Sequence, residues 1–497
     1  LLLCCVSLVV FREKGPPVMT IKTPDWVKSA VFYQIFPDRF CMGSSDHHPR
    51  GIMLKPWGSP AEEQGYQGGD LYGVVEKLGY LQALGITALY LNPIFSSASN
   101  HRYHTFDYFQ VDPLLGGNDA LALLIKEAHA RDMKIVLDGV FNHASRGFWA
   151  FHHILENGSD SPYLDWFHIE DFPLNPYPKG ESESLNYQAW WDLPALPKFN
   201  TDNPGVRDYL FSVAEYWISL GIDGWRLDVP GDIDDDSFWQ EFRRRVKALN
   251  PEAYICGEIW TKADRWLQGD QFDAVMNYPM GTSALSFFGA KTMKTDYKQN
   301  NLDLTPCDAS LFSRRVNEVL QWYDAEINLA QLNLLDSHDM PRAKWLVNDN
   351  AMAVKQSLAF LLVSVGAPCI YYGTEIGMTG GNDPHCREAF PWSKPDTWDM
   401  TITEQIQRFT AIRQSYPVFT AGTMTIETIN NDVVLVVRQL EDSIAYVLFN
   451  RSSDPQSIQI SAPECDLYLL DNNGQKTEST FDAEGKVDAQ SVYVFVS

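Results

Sequence analysis

The chain has 497 residues, enough for about three average domains or for one α/β barrel with appendages. Its 64 acidic and 39 basic residues give a formal net charge of −25, which argues against nucleic acid or an anionic membrane as a partner, because such binding is driven by Lys and Arg. A hydrophobic fraction of 45% and a charged fraction of 21% exclude disorder as the overall state, and the 15 Trp admit either ordinary packing or a groove where flat rings stack on sugar faces.

In chain order, residues 1–11 form an apolar run too short to span a bilayer. It lacks a basic flank and a small-residue cleavage site, and Arg12, Glu13, Lys14, Gly15, Pro16 and Pro17 end it. Two readings stand: an upstream extension before a start at Met19, or a truncated export signal within residues 1–18. Residues 1–25 are therefore set apart as a leader or artefact. The first reading goes with a cytoplasmic location and the second with export. The eight cysteines (Cys4, Cys5, Cys41, Cys256, Cys307, Cys369, Cys386 and Cys465) form no Cys-x-x-Cys pair, as expected of buried thiols in a reducing compartment.

Short apolar, β-branched runs then recur at 30–36, 86–92, 134–141, 222–229, 253–259, 274–278, 332–337 and 369–372. Helical periods lie between many of them, at 71–84, 119–131, 206–220, 236–249 and 352–365. Eight buried strands alternating with helices predict an α/β fold, a (β/α)₈ TIM barrel, over 26–141 and 201–416. The interval 142–200 is too long for a simple loop and reads as an excursion domain after the third strand. Strand-like runs at 433–439, 444–449, 457–460, 466–470 and 491–496 predict a C-terminal antiparallel β-sandwich over 417–497.

Charge falls where buried strands should be apolar. The third run passes through Asp138 into Asn142 and His143, the fourth ends in Arg226-Leu227-Asp228, the fifth in Gly257-Glu258, and the seventh in Asp336-Ser337-His338-Asp339. One such charge reads as a structural ion pair. Four together at the C-terminal ends of barrel strands read as an active site, because clustered carboxylates repel and cost desolvation. Arg226 and Asp228 are two apart on a strand and share a side, so the guanidinium is expected to depress the Asp228 pKa and suit it as a nucleophile. Glu258, in a partly dry cleft near other carboxylates, is expected to hold its proton as a general acid.

These four segments resemble, in order, the four sequence regions of the alpha-amylase family of glycoside hydrolases, with 90, 30 and 81 residues between Asp138, Asp228, Glu258 and Asp339. The resemblance implies a retaining mechanism in which Asp228 attacks the anomeric carbon, Glu258 is acid and then base, and Asp339 holds the 2- and 3-hydroxyls. Retention predicts about 5–5.5 Å between the Asp228 and Glu258 carboxyls. It also implies that Tyr103, His143, Arg226 and His338 surround the reacting sugar, and that Asp138 is a structural partner of Arg226. Leu196-Pro197-Lys198-Phe199-Asn200 resembles a segment of the neopullulanase, cyclomaltodextrinase and maltogenic amylase group. In that group Lys198 and Trp260 would face the acceptor, and Asp383 and Arg387 the donor-side sugars.

Two departures from that group follow. The first strand begins near residue 30, so the group's N-terminal β domain is expected to be absent, which weakens any inference of cyclodextrin preference or dimerisation. The group's calcium loop is also altered. Asp38-Arg39-Phe40 is followed by Cys41, Met42, Gly43, Ser44 and Ser45, and beyond these only Asp46 and Asp70 offer carboxylates. Calcium wants several hard oxygens, so no metal site is assigned; no cofactor is required, and calcium binding is left open without a site that the sequence supports. The reading is a hydrolase of α-1,4 and possibly α-1,6 bonds in maltooligosaccharides, cyclodextrins or pullulan, its partner an α-glucan oligosaccharide. The first alternative is a 4-α-glucanotransferase, and a remote one a non-catalytic carbohydrate-binding or transporter-partner relative. Oligomeric state is left open.

Overall fold

The computed structural model describes residues 21–43, 45–180, 183–297, 304–460, 466–480 and 482–497. The apolar run, Met19, Cys4, Cys5 and Cys465 lie outside them. Eight parallel strands, Phe32–Ile35, Ala88–Leu91, Lys134–Gly139, Gly224–Leu227, Tyr254–Gly257, Ala274–Val275, Leu332–Leu334 and Ala367–Tyr371, make one sheet. The first pairs with the eighth, and a parallel bridge from Met276 to Leu332 closes the ring between the sixth and seventh. Their residues are buried on both faces, which is why they read as continuous apolar runs.

The helices around the ring begin where the sequence offers a cap. Asp70, Asn203, Asp235 and Asn350 accept backbone N–H groups at the starts of Leu71–Ala83, Pro204–Ser219, Asp236–Leu249 and Ala351–Val363. Helix Tyr278–Phe288 was not expected, because it is buried on nearly every side and shows no polar face to read. Its Gly281 permits that burial, since a Cβ there would lie 1.8 Å from the Leu334 carbonyl oxygen. The hairpin Phe95–Ser97 with Thr105–Val111 and helix Ala309–Leu320 have no counterpart among the expected elements, whereas helix Met400–Ser415 ends at the expected barrel boundary of 416. At the other end, Thr23 is buried and its N–H donates to Glu326 Oε1 at 3.0 Å. The expected boundary at residue 26 thus falls inside a segment already packed on the barrel.

After the third strand the chain leaves the barrel. Among the described residues only Trp149–Asn157 is a sizeable helix there, and bridges His143–Lys198 and Phe167–Phe199 pin the excursion down over Phe148, Phe151, Phe167 and Phe199. At the C-terminus six antiparallel strands run in the order Thr423–Thr428, Val433–Leu440, Ser443–Asn450, Ser491–Val496, Tyr468–Leu470 and Lys476–Thr480. One face, with Val434, Val436, Val447 and Phe449, joins the barrel's core; the other packs under a ribbon of Gln456–Ser457 and Lys486–Val487. The second layer of the expected sandwich is this small ribbon and its flanks.

Two buried arginines mark the seam between barrel and sheet. Arg438 donates to the carbonyls of Val363, Phe419, Gly422 and Thr423. Arg413 donates to those of Lys28, Leu362, Ser364, Gly366 and Phe419. Among the described residues no helix is long and apolar enough to cross a membrane.

Candidate active site

Strand geometry gathers the charged segments at one end of the barrel. Asp138 and Arg226 are register partners on the third and fourth strands. Arg226 Nη1 donates to Asp138 Oδ1 and Oδ2 at 2.9 and 3.1 Å and to Asp228 Oδ1 at 3.2 Å. Its Nη2 lies 3.0 Å from Glu258 Oε2, an ion pair without hydrogen-bond alignment, and 4.0 Å from Asp339 Oδ2. One buried guanidinium therefore touches four carboxylates.

Glu258 has two further partners. The Val229 N–H donates to Oε2 at 3.0 Å, and Trp260 Nε1–H donates to Oε1 at 3.1 Å. Val229 follows Asp228 directly and has φ of 36°, a left-handed conformation that is costly for a β-branched residue. That strained turn aims the amide at Glu258. Trp260 lies flat on Tyr278, with centroids 3.8 Å apart and planes 6° from parallel.

Asp339 lies 3.0 Å from His338 Nε2 and accepts from Arg387 Nη2 at 3.3 Å. Arg387 also pairs with Asp383 at 2.9 Å and donates through Nε to the His338 carbonyl. Tyr103 stacks parallel to His338, contacts its Nε2 through the hydroxyl, and donates to Asp138 Oδ2 at 2.9 Å. His143 is buried against Trp190, and its Nε2 has no protein partner. Lys198 reaches the rim, where its ammonium donates to the Asp232 carbonyl at 2.8 Å.

Electrostatics corrects one expectation. Asp228 is not depressed by Arg226. Burial and the neighbouring Glu258 raise its carboxyl well above the ordinary value, with Asp138 and Asp339 adding to the effect, and together they outweigh the guanidinium. Glu258 is raised as well, by burial first and by Asp339, against the pull of Arg226 and the Val229 amide. Two neighbouring carboxyls both pushed up in this way retain a proton where an isolated carboxyl would be ionised. For Asp339 burial works upward, but His338 and then Arg387 hold the carboxyl below the ordinary range. Burial pushes His143 down to about 3, so it is neutral.

Sequence reasoning passed over several neighbours. Gln34 Nε2 lies 2.8 Å from His338 Nδ1 and donates to Asn92 Oδ1, Asn92 donates to the Tyr103 hydroxyl, and Tyr90 donates to Asp138. Gln34 and Asn92 were legible as polar residues in or at the end of buried strands, the signal used for the charged segments. Nothing local distinguishes Tyr278 or Trp190 from core aromatics. The altered calcium loop does not present a set of oxygen ligands. The Asp38 carboxylate is taken by Arg39 and by the Gln67 and Gly68 amides, while Asp70 faces His47 and His48 rather than further oxygens.

A closed (β/α)₈ barrel with carboxylates converging on one arginine at its C-terminal mouth fits a glycoside hydrolase that works with paired carboxylates. The Alpha amylase, catalytic domain model matches residues 34–421, and the chain belongs to the alpha-amylase family of glycoside hydrolases. It is 43% identical over 441 residues to a cyclomaltodextrinase of Geobacillus thermopakistaniensis, covering 88% of this chain and 71% of that one. Among solved structures it resembles the debranching enzyme of Nostoc punctiforme, at 42% identity and a TM-score of 0.85, with 96% of this chain and 100% of that one covered. It also resembles the cyclic α-maltosyl-(1→6)-maltose hydrolase of Arthrobacter globiformis, at 36% identity, a TM-score of 0.85 and the same coverage.

Proposed function

We propose that the barrel mouth hydrolyses α-glucosidic bonds of maltooligosaccharides, cyclodextrins or pullulan with retention at the anomeric carbon. In the first step Asp228 attacks that carbon, the glycosidic C–O bond breaks, and Glu258 gives its proton to the leaving oxygen. In the second, Glu258 takes a proton from water, the water oxygen bonds to the anomeric carbon, and Asp228 leaves. Asp339 receives the 2- and 3-hydroxyls, Tyr103 underlies the ring, and neutral His143 offers its unpartnered Nε2 to a hydroxyl. Arg387 and Asp383 serve the donor side, Lys198 and the Trp260–Tyr278 pair the acceptor side. The chain's own carboxylates supply nucleophile, acid and base, so the cycle needs no metal.

The observation that carries this reading is Arg226 in contact with both Asp228 and Glu258, at 3.2 and 3.0 Å. Burial and the neighbouring carboxylates let the pair keep one proton, and the shared cation stabilises its one charge, the state the first step requires. The relatives' printed names, a debranching enzyme and a hydrolase of a (1→6)-linked cyclic sugar, support tolerance of α-1,6 bonds. Cys41, Cys256, Cys369 and Cys386 are buried free thiols, which supports a cytoplasmic location.

The test is a product profile from maltoheptaose, γ-cyclodextrin and pullulan, each incubated separately with Glu258→Gln as the blank. Maltose and glucose, with panose from pullulan, are expected. A ladder longer than maltoheptaose moves the assignment to a 4-α-glucanotransferase, the acceptor-side ring pair then holding sugar in place of water. Asp228→Asn is expected to abolish turnover and leave the circular dichroism unchanged; full activity overturns the assignment of the nucleophile.

A further inference from the structure

A second cluster of titratable groups lies on the loop that joins the first barrel strand to helix Leu71–Ala83. Asp70 caps that helix, with Oδ1 accepting the Gly73 N–H at 2.7 Å, while the Gly43 N–H donates to Oδ2 at 3.1 Å. Oδ2 also lies 3.5 Å from His47 Nε2 and 4.0 Å from His48 Nε2. All three donor atoms fall within 4.8 Å of one another. Both imidazole nitrogens are buried without a hydrogen-bond partner, and the His48 side chain is only 7% exposed. Buried polar atoms normally have partners, and two aimed at one carboxylate leave a place for something that accepts lone pairs.

We propose that His47, His48 and Asp70 form a site for a borderline divalent cation of the zinc class. Two ligands about 2.0–2.1 Å from zinc at the tetrahedral angle lie about 3.3 Å apart, so the observed His–Asp separations need to close by less than about 1 Å. Two imidazoles and one carboxylate suit zinc, whereas calcium takes 6–8 oxygens. The Gly43 and Gly73 amides hold the carboxylate in orientation, as outer partners of metal ligands do. Water takes the fourth position.

The ion would tie this loop to the helix start. The loop continues to the rim of the active site, where Tyr66 donates to the Ser97 carbonyl and Asn100 donates to the carbonyl of Gly65. Its effect is therefore on stability and on the stiffness of that rim, not on the chemical step.

The experiment uses the full chain, stripped with chelator and titrated at pH 7.5 with Co²⁺, followed by Zn²⁺. Expected are one Co²⁺ per chain with visible ligand-field bands, bleaching of those bands by one equivalent of Zn²⁺, and a Tm raised by Zn²⁺ and not by Ca²⁺. His47→Gln and His48→Gln, made separately because Asp70 is also a cap, should each weaken Co²⁺ binding at least about tenfold with kcat unchanged. No bands, bands that survive both substitutions, or a Tm raised by Ca²⁺ alone would overturn the proposal.

Discussion

Replacing Trp260 by Phe isolates one hydrogen bond at the acid. The indole Nε1–H donates to Glu258 Oε1 at 3.1 Å, and the ring lies on Tyr278. Phe keeps a ring for Tyr278 and deletes the donor. A hydrogen bond to a charged group contributes about 1.5–3 kcal/mol, and the protonated acid retains part of it. One pKa unit is about 1.4 kcal/mol, so the loss corresponds to about one unit. The direction follows from which form is favoured. The donor stabilises the carboxylate, so deleting it raises a pKa that burial has already raised. Glu258 must be protonated to release the leaving group, so the alkaline limb of kcat/KM moves up by about one pH unit. The assay is kcat/KM against pH on a soluble maltooligosaccharide, with circular dichroism to show an intact fold. An alkaline limb that stays in place or moves down refutes the assignment of Glu258 as the acid held by this network.

Burial lifts Glu375 to about 7, although Tyr33 and Tyr80 donate to its Oε1 at 2.7 and 2.9 Å. Its folded value lies above the unfolded one, so its contribution to stability is complete below about pH 4.5 and is lost as pH rises through 7. Urea unfolding at pH 4.5 and 7.5 should show wild type losing on the order of 3 kcal/mol more than Glu375→Gln; parallel behaviour of the two would defeat this. Arg438→Met strips a donor from four carbonyls at the seam and should cost at least about 3 kcal/mol in urea unfolding, with kcat unchanged. An unchanged midpoint would mean that water replaces the guanidinium at no cost.

Much of this molecule could be read before its shape was known, for a physical reason. The barrel strands are buried on both faces, so several charges gathered at strand ends are hard to explain structurally, and Asp138, Asp228 and Glu258 stand out together. Gln34 and Asn92 occupy comparable positions but carry no charge, and a lone amide in an apolar run has several ordinary explanations. The direction of the Asp228 shift was misread because adjacency reveals Arg226, two residues away, but not Glu258 and Asp339 converging from other strands. The left-handed Val229 could not be read at all, since nothing about a valine announces a backbone that most valines avoid. His47 and His48 meet Asp70 only through the path of a loop, which no periodicity encodes.

Arg413 bears on how the chain is made. It lies near the end of helix Met400–Ser415, yet it donates to the carbonyl of Lys28, from the opening segment, as well as to carbonyls around the eighth strand. Arg438, later still, does the same for Val363, Phe419 and Gly422. The first segment of the barrel therefore waits for a donor, Arg413, that follows all eight barrel strands in the chain. A growing chain can collapse and form helices in order, but its floor stays unsealed until the C-terminal sheet emerges. A nascent chain halted before Arg413 would lack the donor that joins the Lys28 carbonyl to those of Ser364 and Gly366, and one halted before Arg438 would leave the Val363 and Gly422 carbonyls without theirs.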